Sequence, residues 1–311
     1  MIPLGGLAFL LAVPANPTTY HVSPVPYDTR AIASGLELYS EHCSDCHGNA
    51  AASGPADDTD SRSPAHARMD LIEQVPDRRE GDLFWSIAHG VPGTSMPGFA
   101  ARMSTLEIWQ LVQFLDARAS ARNALAMSDR IRPLRSVPAP DFTYEVGGGG
   151  QRSLLGQLEG EAPVSLLVLY SLPSSLPRLH EIAAQLPAYI AAGARVIALP
   201  MPGSPPLQAN EQHGAADPLV ARADPATASV YLMFAPRSGP AQDSPYAHIE
   251  YLIDRFGYLR VRRTAAATAA DGRASTGTSE AIAQDLPPVL PQIRALAGEP
   301  DRVPPQWGHR H

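Results

Sequence analysis

A chain of 311 residues that is 44% hydrophobic and 18% charged is long enough for two globular domains and apolar enough to give each a core. Its net charge of −7, with 13 acidic residues against 6 arginines between positions 31 and 120, argues against nucleic acid or an anionic membrane surface as partner. All 24 basic residues are arginine, so a lysine-ringed docking face is excluded, and a partner that docks by charge should present a basic patch.

Residues 2–13 form an uncharged apolar run, too short to span a bilayer alone. The run has the length of a signal-peptide core and ends in small residues before Asn16, but it lacks a basic leader. It reads either as an export signal or as the trailing end of a membrane helix, so residues 1–29 are expected to be that segment plus a linker.

Residues 31–42 carry small, apolar and acidic side chains in helical spacing, with Leu36, Tyr39 and Cys43 on one face. The next residues spell C-x-x-C-H, from Cys43 through Cys46 to His47, and these are the only two cysteines of the chain. The motif is the attachment signature of a c-type haem: both thiols become thioethers and the imidazole becomes an axial iron ligand. A zinc ribbon would want a second C-x-x-C, and a redox dithiol would want a strand before the motif; neither is present in the pattern.

A His-ligated electron-transfer haem needs a second, polarizable ligand, and methionine sulfur raises its potential. Met96 lies in a Gly-Thr-Ser-Met-Pro-Gly loop between two helical patterns, where proline and glycine fix an irregular backbone. Met69 and Met103 are the other methionines weighed for this role. His42, His66 and His89 read as surface or loop histidines, with His89 the one placed to meet a haem edge. Residues 104–118 then read as a helix opened by a capping box at Ser104 and Glu107.

In these features the first part of the chain resembles class I cytochrome c. That family shows a helix with a Gly-x-x-x-aromatic pair (here Gly35 and Tyr39), then C-x-x-C-H, a Met-Pro loop, and a last helix crossing the first. The resemblance implies an all-α cytochrome c fold over residues 30–120, with one covalent haem c held by Cys43 and Cys46 and ligated by His47 and Met96. It also implies that Pro55 offers its carbonyl to the imidazole N–H of His47, which would orient that ligand. Residues 16–30 and the haem region further resemble cytochrome domains fused behind copper-resistance membrane proteins. That likeness implies a periplasmic location, either soluble or anchored through the N-terminus.

Residues 121–139 read as a basic, proline-containing linker, and strand–helix alternation begins at about 140. Residues 164–170 and 195–200 are continuous apolar runs expected to be buried strands, with a helix over 176–192 between them. Residues 248–254 and 258–263 flank a hairpin turn at Arg255-Phe256-Gly257. A β-α-β unit followed by a hairpin is what an α/β thioredoxin-like fold requires, expected here over 140–298. The detail resembles the Sco family, whose C-P-x-x-C-P motif is matched by Leu172-Pro173-Ser174-Ser175-Leu176-Pro177. Both prolines persist and both cysteines are leucine, so disulfide exchange and a thiolate Cu(I) site are excluded. His248 lies near the family's histidine ligand but out of its spacing, and reads as a structural or surface residue. The four glycines from Gly147 lack phosphate-loop spacing, residues 264–278 read as a flexible loop, and 299–311 as a tail.

The expectation is a monohaem electron carrier, not an enzyme, passing single electrons between periplasmic partners. Its thioredoxin-like module would dock, scaffold or regulate. The alternative is a Sco-like, copper-handling accessory protein with a haem redox module.

Overall fold

The computed structural model describes residues 15–48, 78–132, 137–146, 150–156, 164–207, 221–236, 246–266 and 288–300. The first half is helical: α1 (Thr29–His42), the single turn α2 (Ser44–His47), α3 (Glu80–His89) and α4 (Thr105–Ala124). Asp28 caps α1 by accepting the Ala31 N–H at 2.8 Å. The expected capping box opens α4: Ser104 N–H donates to the Glu107 carboxylate at 2.7 Å, and Glu107 N–H returns the bond to Ser104 Oγ at 3.3 Å. The helix continues beyond 118 to Ala124, four residues past the domain boundary expected at 120.

The crossing of α1 and α4 depends on Gly35. A Cβ there would lie 2.2 Å from the Gln110 carbonyl oxygen and 2.7 Å from Phe114 Cβ, so the two backbones meet at a distance only glycine permits. One turn on, the rings of Tyr39 and Phe114 sit 5.2 Å apart, and both side chains are fully buried. α3 joins the pair through Phe84, stacked 4.5 Å from Trp109 of α4. The segment before α1 runs along α3, with Thr18 Oγ1 donating to the Gly81 carbonyl at 2.6 Å and Ser23 N–H to Glu80 at 2.9 Å.

The second half contains β1 (Thr143–Val146), β2 (Arg152–Ser153), β3 (Val164–Tyr170), α5 (Leu176–Ala191), β4 (Ala194–Pro200), β5 (Ala221–Ala223), α6 (Pro225–Leu232), β6 (Tyr246–Ile253), β7 (Leu259–Ala266) and α7 (Leu290–Ala297). The main sheet has the order β4-β3-β6-β7, with β3 and β4 parallel and the hairpin β6-β7 antiparallel to them. A parallel β-α-β unit, an antiparallel hairpin and a closing helix in that strand order make the thioredoxin-like arrangement the sequence predicts. A small sheet, β2-β1-β5, stands beside it. Among the described residues, no helix is long and apolar enough to cross a membrane.

Both faces of the main sheet are covered, which is why β3 reads as an unbroken apolar run. Leu166, Val168 and Tyr170 face α5 and α7, packing with Ile182, Tyr189 and Ile293. Leu167 and Leu169, with Ile249 and Tyr251, belong to a second core that continues through Tyr231 and Phe142 into Ile32, Tyr39 and Phe114 of the helical half. The segment 121–139, expected to be a linker, is part of this core in its described residues: Met127, Val137 and Ala139 are buried. Arg262 of β7 reaches across to the end of α4, its guanidinium donating to the carbonyls of Ala124 at 2.7 Å, Phe234 at 2.8 Å and Met127 at 3.1 Å. Thr29 N–H donates to the Asp141 carbonyl at 2.9 Å, and Asp141 N–H donates to Tyr27 at 3.0 Å.

Candidate functional site

Cys43 caps α1, and its own carbonyl receives the His47 N–H at 2.9 Å, so both thiols and the imidazole are presented on one helical turn. The Tyr39 hydroxyl, rooted in the α1–α4 crossing, donates to the His47 and Gly48 carbonyls at 3.2 and 3.1 Å. This ties the end of the motif to the core. Gly48 at φ +79° turns the chain away, a conformation that favours glycine.

Cys43 is half-buried and Cys46 exposed, both as free thiols. Burial, and then the neighbouring Cys46, push the Cys43 thiol up to about 11. A reactive redox thiol carries the opposite shift. Burial lowers the His47 imidazole below its ordinary value, and the Arg118 guanidinium lowers it further, which favours the neutral, ligating ring. His47 Nδ1 is buried and has no hydrogen-bond partner among the described residues. Pro55, expected to supply that partner, lies outside the described residues.

The Met96 loop is clasped to the end of α3. Gly90 is at φ +80°, and a Cβ there would lie 2.7 Å from the Met96 carbonyl oxygen; one on Gly98 would lie 2.8 Å from the Ala88 carbonyl. Val91 N–H donates to Met96 O at 3.3 Å, and Phe99 N–H to Ile87 O at 2.9 Å. Met96 is half-buried and packs against the same core as Cys43, Leu36 and Phe84. Met103 is only 4% exposed and belongs to that core. Met69 and His66 lie outside the described residues. His42 lies 6.2 Å from the Phe99 ring, and the exposed His89 is stacked 3.8 Å from Trp85.

Two thiols and a neutral imidazole on one turn, an orphaned Nδ1 behind that imidazole, and a thioether held by a clasped loop on the same core form the donor set a c-type haem needs. The residues present fit that group.

In the second half, Leu172 and Leu176, where the resemblance would place thiols, are half-buried. Both pack against the sheet core, and the buried Ser175 Oγ donates to Ala247 O at 2.7 Å. His248 is 0% exposed and lies 3.0 Å from Glu250 through Nε2, so it is a structural histidine. Sequence reasoning missed the group it joins. Glu250 also takes Arg178 Nε at 2.7 Å and an Arg263 guanidinium nitrogen, and Arg178 reaches Glu181 at 2.6 Å. Burial alone would raise the Glu250 carboxyl, but the His248 hydrogen bond and the two guanidiniums outweigh it and hold it well below the ordinary carboxylate range. A glutamate inside the apolar run YAHIEYLI was the available signal. Among the described residues, no group of three or more His, Cys, Asp or Glu could hold a metal ion.

Comparison with known proteins identifies the first half. The family described as cytochrome c oxidase, cbb3-type, subunit III, matches residues 30–115. A quinohemoprotein alcohol dehydrogenase of Pseudomonas putida is 32% identical over 118 residues, 37% of this chain, and the chain spans only 14% of that protein. Residues 30–115 are thus a c-type cytochrome domain, and such a domain implies haem c. Solved structures similar to this chain include peroxiredoxin Q of Xanthomonas campestris, at 18% identity and TM-score 0.32 over 50% of this chain and 91% of that one. Another is a thioredoxin-like protein of Bacteroides caccae, at 14% identity and TM-score 0.28 over 88% and 97%. The thioredoxin-like reading of the second half rests on its strand order and not on these likenesses.

Proposed function

We propose that this protein is a monohaem c-type cytochrome that carries single electrons between periplasmic redox partners. Cys43 and Cys46 would hold the haem covalently, and His47 and Met96 would ligate its iron. The observation that carries the reading is the packing of Cys43 and Met96, distant in sequence, against one core. Bound there, the haem supplies a one-electron couple whose potential a methionine ligand raises.

The rest of the chemistry belongs to the chain. Tyr39 fixes the carbonyl end of the motif, the clasp at Gly90 and Gly98 holds the backbone of the Met96 loop, and a neutral His47 would offer a lone pair. The acidic helical half suits a partner with a basic patch. The thioredoxin-like half has leucine at both thiol positions and serves docking or scaffolding.

The test is the absorption spectrum of the exported, purified protein. A c-type pyridine haemochrome at one haem per chain is expected, and Met96→Ala should lose the near-infrared Met–Fe band. Absence of the haemochrome ends the proposal.

A further inference from the structure

We infer that Thr94 is a positioning residue for Met96: its hydroxyl joins the Met96 N–H to the Val91 carbonyl and so holds the backbone from which the ligating thioether extends. The inference rests on the haem reading above.

The sequence builds this latch locally. Val91-Pro92-Gly93-Thr94 is a turn closed by Thr94 N–H, which donates to the Val91 carbonyl at 3.2 Å. Proline stands at its second position and Gly93, at φ +79°, at its third, the pattern of a type II turn. The turn brings the Thr94 side chain back to the Val91 carbonyl, to which Oγ1–H donates at 2.8 Å. The same oxygen accepts the Met96 N–H at 3.2 Å. A carbonyl can only accept and an N–H can only donate, so the hydroxyl serves one as donor and the other as acceptor.

Met96 is thereby held by both of its backbone groups. Its carbonyl accepts the Val91 N–H at 3.3 Å, and its own N–H goes to Thr94. Pro97 restricts it further, to extended backbone. Val91 follows Gly90, whose N–H donates to the Ser86 carbonyl of α3 at 2.9 Å, so the hold is carried to the helical core. Thr94 itself is exposed and fills no part of that core. A water replacing its hydroxyl would have to be immobilised, at an entropic cost, to bridge the same two groups. Ligation by a thioether competes with any outside base that reaches the iron, and the cost of ordering its loop is subtracted from it. A loop ordered in advance therefore keeps its ligand better.

Imidazole titration of the oxidised, haem-loaded full chain tests this in the wild type and in Thr94→Val, Thr94→Ala and Thr94→Ser. Imidazole that displaces the thioether abolishes the near-infrared Met–Fe band. Without the hydroxyl, the valine and alanine variants should bind imidazole about three- to tenfold more tightly. The serine variant keeps the hydroxyl and should stay within about twofold of the wild type. A valine variant with wild-type imidazole affinity overturns the inference, even if its urea midpoint falls, because the hydroxyl would then serve the fold alone. So does a serine variant that binds imidazole as tightly as the valine variant. If neither the valine nor the alanine variant loads haem, Thr94 is a structural residue and the inference also falls. Failure of the haem reading looks different: the wild type then shows no haemochrome, or a haemochrome without the Met–Fe band.

Discussion

Replacing Gly35 by alanine tests the crossing on which the haem half is built. In an unconstrained helix interior this change stabilises by about 0.5–1 kcal/mol, because alanine gives up less backbone freedom on folding. At this crossing the new Cβ would meet the Gln110 carbonyl oxygen at 2.2 Å and Phe114 Cβ at 2.7 Å. Ordinary contact lies at about 3.5–4 Å, so α1 and α4 must part by roughly 1 Å. Overpacking of this kind costs about 1–3 kcal/mol, and it acts against backbone and a buried ring, neither of which can swing aside. The net expectation is a loss of about 1–2 kcal/mol for alanine and more for Gly35→Val. Tyr39 and Cys43 lie further along the same helix, so the displacement also loosens the two bonds from Tyr39 to the motif carbonyls. Urea unfolding of the haem-loaded chain, with haem content measured on the same samples, reads both effects. An alanine variant as stable as the wild type, or more so, would refute the reasoning, since the helices would then not be in the contact described.

Glu250→Gln removes the anion that the buried Arg178 and Arg263 guanidiniums both meet and should cost about 3–5 kcal/mol in urea unfolding at neutral pH. The sign with pH follows from the depressed carboxyl. Its stabilisation is fully present above the ordinary glutamate range, near pH 4.3, and drains away as pH falls towards the lower folded value. The wild type should thus lose stability below about pH 4 more steeply than Glu250→Gln; parallel acid profiles would sink this account. Arg262→Met keeps the stem but loses the bonds to Ala124, Phe234 and Met127, and should cost about 2–4 kcal/mol by leaving buried carbonyls unpaired. It should lower the unfolding midpoints of the haem Soret band and of far-ultraviolet ellipticity together; a shift in ellipticity alone would contradict a shared core. Met103→Ala should cost about 2–5 kcal/mol as a core truncation yet leave the near-infrared band intact, the opposite of Met96→Ala.

Much of the haem half was legible because its chemistry is local in sequence. Cys43 to His47 lie within five residues, the capping box spans four, and the proline and glycines around Met96 announce an irregular loop. The Gly35–Tyr39 pair needed the resemblance to acquire meaning, since nothing in a lone sequence says which helix a glycine must approach. The strands of the second half were legible for a different reason. Burial on both faces leaves an apolar run with no alternation, and VSLLVLY and RVIALP are such runs. What sequence could not yield was the partner of each buried charge. Arg178 and Glu250 are separated by 72 residues, and they meet only because α5 folds back over β6. Arg262 falls in a segment the sequence marks only as one arm of a hairpin, and its role depends on where α4 ends.

The same limit explains the one organisational expectation that reads differently in three dimensions. Proline and arginine between 121 and 139 suggest a flexible connector, because composition registers the solvent-facing residues and gives little weight to isolated apolar ones. Met127, Val137 and Ala139 are those isolated residues, and each is buried in the core that runs from the main sheet to the α1–α4 crossing. If the halves swung apart, this core would open to water, and the carbonyls held by Arg262 and the Asp141 bonds to Thr29 and Tyr27 would lose their partners. Movement of one half relative to the other would therefore cost the burial of this core and these hydrogen bonds. The thioredoxin-like half stands as a wall behind the helical core, and under the proposed docking role a partner would meet it in constant register with the haem site.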